Sequence, residues 1–180
     1  LVETLSESVK GLVVGDALDP ATEVGPLIRA AEVDRLEEWV DEAVSLGGKI
    51  ATGGKRMEGN FFQPTIVLDP PAEAKLSSME AFGPVVCVYP YEKLDDALRA
   101  ANVEPYAFQA SVFTESVDTV QACFEAFDAS AVMVNDHTAF RDDAMPFAGL
   151  KASGLGIGGI PYTIEDMQFE KMLVTRHSGN

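Results

Sequence analysis

The apolar residues of this chain follow two different periods, and together these periods predict alternating helices and strands. Residues 32–46 show the clearest helical period, because their apolar positions fall on one stripe and Gly47 and Gly48 follow as a stop signal. The stripe consists of Val33, Leu36, Val40, Ala43 and Val44. Residues 85–89 are apolar at every position, which predicts a strand covered on both faces.

The same alternation continues in the second half of the chain. Apolar residues at helical spacing over 94–101 precede a predicted strand at 108–113. A further helix is predicted from Ser116, which suits an N-cap, and a third strand at 131–134. The predicted inner face of that helix consists of Val117, Val120, Phe124 and Phe127. This order predicts the α/β class, with a parallel sheet in a three-layer arrangement and helices on both faces.

Composition and charge narrow the class of protein. With 180 residues and 47% hydrophobic content, the chain can bury one sizeable core, and we expect a single sheet. Its 29 acidic and 13 basic residues give a net charge of −16 that is spread along the chain, which argues against nucleic acid or an anionic membrane as a partner. No apolar run approaches the roughly 20 residues that span a bilayer, and the amino terminus lacks a secretory signal pattern. We therefore expect a cytoplasmic protein.

Two stretches carry candidate chemistry. The first, SSMEAFGPVVCVY at 77–89, runs an acid, an aromatic residue and a Gly-Pro turn into an apolar strand. The second follows the strand at 131–134, where a polar loop at 135–143 leads into a glycine-rich segment at 145–159. Such a position matters because function in parallel sheets gathers at the carboxyl ends of the strands. The glycine segment alone is a weak sign of phosphate binding, because neither the phosphate-loop pattern nor the dinucleotide fingerprint is present.

Taken together, these stretches resemble the aldehyde dehydrogenase superfamily. MEAFGPV at 79–85, VMVN at 132–135 and PFAGLKASGLG at 146–156 occur in the order and approximate spacing of that family. The flanking segments that also resemble it lie at 13–28, 53–67 and 113–118. The resemblance implies that residues 1–165 form the C-terminal part of the catalytic domain and that 166–180 form an oligomerisation strand and tail. The loop NDHTAFRDDAMPFAG resembles most the lactaldehyde and phosphonoacetaldehyde dehydrogenase branch.

The resemblance implies a cofactor, NAD or NADP, and two residues that contact it. Glu80 matches the acid that accepts hydrogen bonds from the hydroxyls of the nicotinamide ribose, and Phe82 matches the aromatic residue beside that ribose. A carboxylate suits two neighbouring hydroxyls because its two oxygens can accept both donors. The alternative from the residues alone is a solvated or helix-capping acid, with Phe82 in the core.

The resemblance also implies substrate-binding residues in the second stretch. Asn135 and Phe147 match positions near the family's substrate pocket, with Phe147 lining the channel to a small aldehyde. Arg141 is the only cation in the loop at 136–145, and we hypothesise that it binds a carboxylate, phosphonate or sulfonate end of the substrate. The alternatives are that Phe147 packs in the core, that Asn135 ends its strand by bonding backbone groups, and that Asp142 and Asp143 neutralise Arg141.

The family's nucleophile is absent from the pattern. Its chemistry requires a cysteine thiolate that forms a thiohemiacetal with the aldehyde, and a water activated by a glutamate then releases the carboxylic acid. Cys87 lies in an apolar strand and Cys123 on a helix, and neither follows the Gly-Gln pair of the family, so we expect both to be structural thiols. The resemblance implies that the nucleophile and the dinucleotide-binding domain lie upstream of this sequence. We expect the isolated chain to be inactive.

Other features leave alternatives open. Ala148 replaces one of two family glycines, and Ile157-Gly158 replaces a common Arg-Glu pair. The tail 167–176 resembles the family's closing strand, which implies a homodimer or homotetramer; an internal edge strand is the alternative. The missing nucleophile also suits a non-catalytic interaction or regulatory module on a degenerate copy of this fold. A third alternative is a superfamily reductase that acts on acyl phosphates.

Overall fold

The chain divides into two compact units. The computed structural model describes residues 1–177 and 179. The first unit spans Leu1–Tyr91, and the second begins at Glu92. No helix in the described part of the chain combines the length and apolarity needed to cross a membrane.

The first unit packs three helices with a three-stranded sheet. The helices are α1 (Val2–Lys10), α2 (Ala30–Ser45) and α3 (Lys75–Ser78), and the strands are β1 (Lys49–Thr52), β2 (Thr65–Leu68) and β3 (Val85–Val88). The strand order is β1-β2-β3, with β1 antiparallel and β3 parallel to β2. The two edges of this sheet are therefore formed by β1 and β3.

Helix α2 supplies much of the core of this unit, as its apolar stripe predicted, except at Val44, which is exposed. Val33, Val40 and Ala43 are fully buried, and Trp39 joins them. They pack in one cluster with Phe62 and with residues of the sheet. The helix ends as predicted, since Gly47 takes a positive φ of 119°, a conformation that favours glycine.

The described residues of the second unit form three helices and two short sheets. The helices are α4 (Leu94–Ala101), α5 (Val117–Ala126) and α6 (Ile160–Asp166), and the strands are β4 (Tyr106–Ala107), β5 (Gln109–Val112), β6 (Ala131–Val134) and β7 (Leu150–Lys151). Strands β5 and β6 are parallel, and β4 pairs antiparallel with β7. The predicted N-cap of α5 is confirmed, because the Ser116 hydroxyl accepts a hydrogen bond from the backbone of Thr119 at 3.2 Å.

The α/β class and the parallel pairing are confirmed, but the expectation of a single sheet is wrong. The strands of the described residues fall into three sheets, and β3 pairs with β2 rather than with β5. An apolar run predicts a strand but does not show which strand it pairs with. In the structure, β3 pairs with β2, whereas β5 pairs with β6.

Two burial expectations are also wrong. Strand β3 is only half buried, with Val86 52% exposed, because it is an edge strand of its sheet. On α5, Phe124 is 65% exposed and Val117 is also exposed, while the small apolar side chain of Cys123 lies at the buried centre. The inner face of α5 is thus rotated toward Cys123 relative to the prediction.

The predicted closing strand is not formed. Residues 168–177 have neither helix nor strand, and their side chains are exposed. A strand needs a hydrogen-bonded neighbour, and this segment has none among the described residues. Residues 178 and 180 of the predicted tail lie outside the described residues, and the boundary at 165 stays a prediction.

Candidate functional site

The segment leading into β3 alternates between core-facing and outward-facing side chains. Ala81, Val85 and Cys87 pack against the core of the first unit. The side chains of Glu80 and Phe82 are exposed, and Phe82 is 68% accessible. The acid and the aromatic ring are thus both exposed, with Ala81, which packs against the core, between them.

The Gly-Pro turn fixes this segment against its neighbours. The Gly83 N–H donates to the Ala81 carbonyl at 2.9 Å, and the Pro84 carbonyl accepts from Thr65 at 2.8 Å. A Cβ added at Gly83 would lie 2.5 Å from Cδ2 of Leu36 in α2. The lack of a side chain at this position therefore lets the turn approach the helix closely.

Glu80 has a free carboxylate at the amino end of β3. Among residues 1–177 and 179, no side chain forms an ion pair or hydrogen bond with it. The alternative that placed Phe82 in the core is wrong, since its ring is exposed. An unpaired carboxylate beside an exposed aromatic face can accept two hydroxyl donors while the ring covers an adjoining flat group.

Neither cysteine has the environment of an activated thiol. Burial raises the pKa of the Cys87 thiol, which outweighs the lowering effect of its hydrogen bond with Tyr89. The Cys87 Sγ–H also donates to the Leu76 carbonyl at 3.7 Å. Cys123 is 1% exposed. A nucleophilic thiol needs a depressed pKa and access to substrate; Cys87 lacks the depressed pKa, and Cys123 lacks the access.

In the second unit, Asn135 ends β6 by bonding the neighbouring strand end. Its Oδ1 accepts from the Thr114 N–H at 2.9 Å, and its Nδ2 donates to the Thr114 carbonyl at 3.0 Å. Its own N–H donates to Val112 at 2.8 Å, and its φ is +56°. Both ends of the side-chain amide are thus engaged with backbone. The structure gives Asn135 the strand-ending contacts, and a role beside the substrate stays a prediction.

Arg141 and Phe147, both predicted at the substrate, lie in direct contact. The guanidinium carbon of Arg141 is 4.2 Å from the centroid of the Phe147 ring. The Phe147 ring also meets Phe108, with centroids 4.8 Å apart and planes at 86°. The backbone of Phe147 is held by two reciprocal hydrogen bonds with Gly158, at 3.0 and 2.8 Å. The glycine-rich segment therefore folds back on itself and fixes the ring.

The acids near Arg141 do not neutralise it. In the described part of the chain, the Arg141 guanidinium forms no ion pair and no hydrogen bond. The Asp142 carboxylate instead accepts from the Ala144 N–H at 2.9 Å, and the Asp136 carboxylate accepts from the His137 N–H at 2.8 Å. The alternative of a structural Arg–Asp pair is thus not what the structure contains.

Arg141 also lines an open cleft of about 360 Å³ in the second unit. The other lining residues are Asp143, Gly159, Ile160, Thr163 and Ile164. The Ile160 N–H donates to the Asp143 carbonyl at 2.9 Å, which ties the loop to the start of α6. Gly159 has a φ of +117° and approaches the Met145 carbonyl closely, so the bend beside the cleft requires glycine.

The predicted site residues thus form two groups. Glu80 and Phe82 belong to the first unit, whereas Asn135, Arg141 and Phe147 belong to the second. The contribution of Phe108 was missed by sequence reasoning. The apolar pattern marks it only as a strand residue, and its contact with Phe147 depends on the fold of the glycine-rich segment.

The motifs and the fold together place this chain among known proteins. It belongs to the aldehyde dehydrogenase family, whose model matches residues 1–173. It is 39% identical to 3-sulfolactaldehyde dehydrogenase from Priestia megaterium over 96% of this chain and 36% of that protein. It is 36% identical to lactaldehyde dehydrogenase from Methanococcus maripaludis over 93% of this chain and 36% of that protein. The resemblance inferred from the motifs is confirmed.

Solved structures give the same assignment. Aldehyde dehydrogenase 21 from Physcomitrella patens, in complex with the reaction product succinate, superposes with a TM-score of 0.92 at 38% identity, over 98% of this chain and 37% of that one. The glyceraldehyde-3-phosphate dehydrogenase of Methanocaldococcus jannaschii, complexed with NADP, superposes with a TM-score of 0.87 at 34% identity, over 92% of this chain and 36% of that one. The chain therefore spans a little more than a third of the length of these relatives.

Proposed function

We propose that this chain is the C-terminal part of an NAD(P)-dependent aldehyde dehydrogenase that oxidises a small aldehyde to its carboxylic acid. The observation that carries the proposal is the unpaired Glu80 carboxylate beside the exposed Phe82 ring, in a chain whose residues 1–173 match the family. In this enzyme, Glu80 accepts hydrogen bonds from the nicotinamide ribose, and Phe82 covers its side. When bound, the nicotinamide supplies the acceptor for hydride.

The attacking thiolate is proposed to come from a segment outside this sequence. Both cysteines of the chain lie in apolar surroundings, and burial raises the pKa of Cys87. A thiol with a raised pKa is a thiol at neutral pH and attacks carbonyl carbon poorly. The chain matches only 36–37% of the length of its relatives, which agrees with a nucleophile located in another part of the enzyme.

The proposed substrate is a small aldehyde with an anionic end. Arg141 carries an uncompensated positive charge in a protein of net charge −16, and its planar donors match a carboxylate, sulfonate or phosphonate. Names of relatives point the same way, since they include 3-sulfolactaldehyde and sulfoacetaldehyde dehydrogenases. In this proposal, Arg141 holds the anionic end while Phe147 lines the path of the carbonyl group.

We also propose that the exposed tail pairs with a second copy of the chain. Met172, Leu173 and Val174 are apolar and largely exposed. Apolar, β-branched residues favour strands, and an unpaired strand recruits a partner edge. A homodimer or homotetramer of the intact enzyme would cover this surface.

Substitution of Glu80 in the intact enzyme tests the cofactor role. Glu80→Gln keeps the shape but removes the charge, and hydrogen bonds to charged groups contribute roughly 1.5–3 kcal/mol, so we expect NAD(P)H to bind about tenfold or more weakly. Fluorescence titration of the reduced cofactor measures this dissociation constant. Glu73→Gln, at another exposed acid of the same unit, is the matched control and should leave it unchanged. Equal affinities for wild type and Glu80→Gln would refute the role of Glu80.

A further inference from the structure

Three side chains of the second unit form a continuous stack that ends in a positive charge. Phe108 meets the Phe147 ring at 86°, and the Arg141 guanidinium lies 4.2 Å from the same ring. Phe147 is fixed from the backbone side by its two hydrogen bonds with Gly158. Phe147, in the middle of the stack, is thus held by the Phe108 ring and by its own backbone hydrogen bonds, in addition to its contact with Arg141.

Unlike an ion pair, the contact between Arg141 and Phe147 leaves the N–H donors of the guanidinium free. A guanidinium over an aromatic ring is attracted by the negative face of the ring, while its N–H donors lie in its own plane. No protein acceptor among residues 1–177 and 179 takes those donors. A carboxylate partner would occupy the donors, and an anionic substrate would have to displace it.

Two of the three acids in this loop, Asp136 and Asp142, hydrogen-bond to the backbone of their own loop instead. The Asp142 and Asp136 carboxylates each accept a hydrogen bond from a backbone N–H within two residues of themselves. A carboxylate that is already hydrogen-bonded to its own loop gains less by turning to a guanidinium. The loop can therefore carry acids beside Arg141 without neutralising it.

We propose that Phe147 and Phe108 are positioning residues that hold the Arg141 guanidinium ready for the anionic end of the aldehyde. This inference rests on the proposed function and deepens it, because it assigns substrate discrimination to the aromatic stack as well as to the cation. Phe147 orients the guanidinium through its ring face, and Phe108 acts one step further away by fixing the plane of that ring. The ligand class is a small aldehyde ending in carboxylate, sulfonate or phosphonate.

A double-mutant cycle in the intact enzyme tests the stack. The quantity measured is kcat/KM for succinic semialdehyde divided by kcat/KM for propionaldehyde. Arg141→Gln should lower this ratio about tenfold through loss of the charged contact. Phe147→Leu should lower it by about two- to fivefold, the effect of one partly exposed cation–π contact, when Arg141 is present, and should leave it unchanged in the Arg141→Gln background. Phe147→Tyr keeps the ring face and should retain the wild-type ratio.

Each outcome decides the inference. A fall caused by Phe147→Leu that is equally large in both backgrounds, or no fall in either, would show that the ring does not act through Arg141. An unchanged ratio in Arg141→Gln would refute the anionic-substrate role and the stack together, while the Glu80 titration would still decide the cofactor role separately. If Phe147→Leu does not fold, Phe108→Leu replaces it in both backgrounds, with a smaller fall expected only beside Arg141. Phe113→Leu, at an exposed phenylalanine of the same unit, is the control.

Discussion

Asn135 shows how single residues finish the parallel strand pairs of this protein. It directly follows β6, takes a φ of +56°, and donates its N–H to Val112 at the end of β5. Asp69 does the same after β2, with a φ of +46° and a bond to Val88 at the end of β3. Asn and Asp tolerate this left-handed conformation better than other side chains. Each of the two parallel pairs, β2–β3 and β5–β6, thus ends with a residue at positive φ whose N–H bonds to the neighbouring strand.

Asn135→Ala should destabilise the protein. It removes two side-chain hydrogen bonds with Thr114 and places alanine at a positive φ, so we expect a loss of about 1–3 kcal/mol in the free energy of unfolding. Urea titration of the intact enzyme measures the shift. Asn135→Gly removes the bonds without the backbone strain and should lose less. An unchanged midpoint for Asn135→Ala would contradict this account of the residue.

At the residue scale, sequence reasoning succeeded where neighbouring residues decide the contacts. Asn135 follows a predicted strand, and its side chain bonds backbone groups, which was one of the two interpretations open for it, while the ribose-binding role of Glu80 stays a prediction. Phe108 shows the opposite case. Its contact with Phe147 joins segments 39 positions apart, and only the folding of the glycine-rich segment creates it.

At the scale of elements, helices were easier to predict than sheets. Helix α2 and the N-cap of α5 follow from local spacing and local hydrogen bonding, and both were found where expected. Sheet membership depends on distant partners, which is why β3 was assigned to the wrong sheet. The burial of β3 was overestimated for the same reason, since an apolar run does not reveal an uncovered edge.

Lys151 holds the glycine-rich segment to the ends of two helices. Its Nζ donates to the Asn102 and Glu104 carbonyls at 3.0 and 3.3 Å and lies 2.7 Å from the Asp128 carboxylate. Asn102 in turn donates to the Ala126 carbonyl and accepts from the Asp128 N–H. These contacts link the end of α4, the end of α5 and β7. The segment that carries Phe147 is therefore anchored by Lys151 through two backbone carbonyls and one carboxylate.

Lys151→Met should loosen this segment while keeping the aliphatic stem. We expect a loss of about 1–3 kcal/mol in stability, because three polar contacts lose their shared donor. The midpoint of urea unfolding of the intact enzyme checks this. Lys55→Met is the control, since the ammonium of Lys55 is exposed and makes no ion pair among the described residues. Equal midpoints for Lys151→Met and Lys55→Met would show that the contacts of Lys151 do not stabilise the protein.

At the scale of the whole molecule, the chemistry of the two units is complementary. The first unit presents a free acid and an exposed aromatic ring, which in the proposed function face the hydroxyls of a ribose and the flat nicotinamide ring. The second presents a free guanidinium on an aromatic stack, which suits an anion. Sequence motifs identified the family, and the site residues they suggested stay predictions; which of these side chains have bonding partners is seen only in the fold.

The net charge of this chain bears on the proposed role of Arg141. A net charge of −16 repels anionic substrates at long range, and ionic screening limits this repulsion to about 10 Å at ordinary salt. Short-range contact with an uncompensated cation can then decide which aldehyde binds. In the proposed function, this contact is made by Arg141, whose guanidinium forms no ion pair among the described residues.

The central claim is that this chain contributes binding groups to aldehyde oxidation while the attacking sulfur lies outside it. The most direct test is kcat/KM of the intact enzyme carrying both Cys87→Ser and Cys123→Ser, with thermal unfolding as the check on folding. Because Cys123 is buried, and Cys87 is half-buried with a raised pKa, we expect aldehyde oxidation within about threefold of wild type. Loss of activity by a hundredfold or more in a folded double variant would place the nucleophile in this chain and contradict the account.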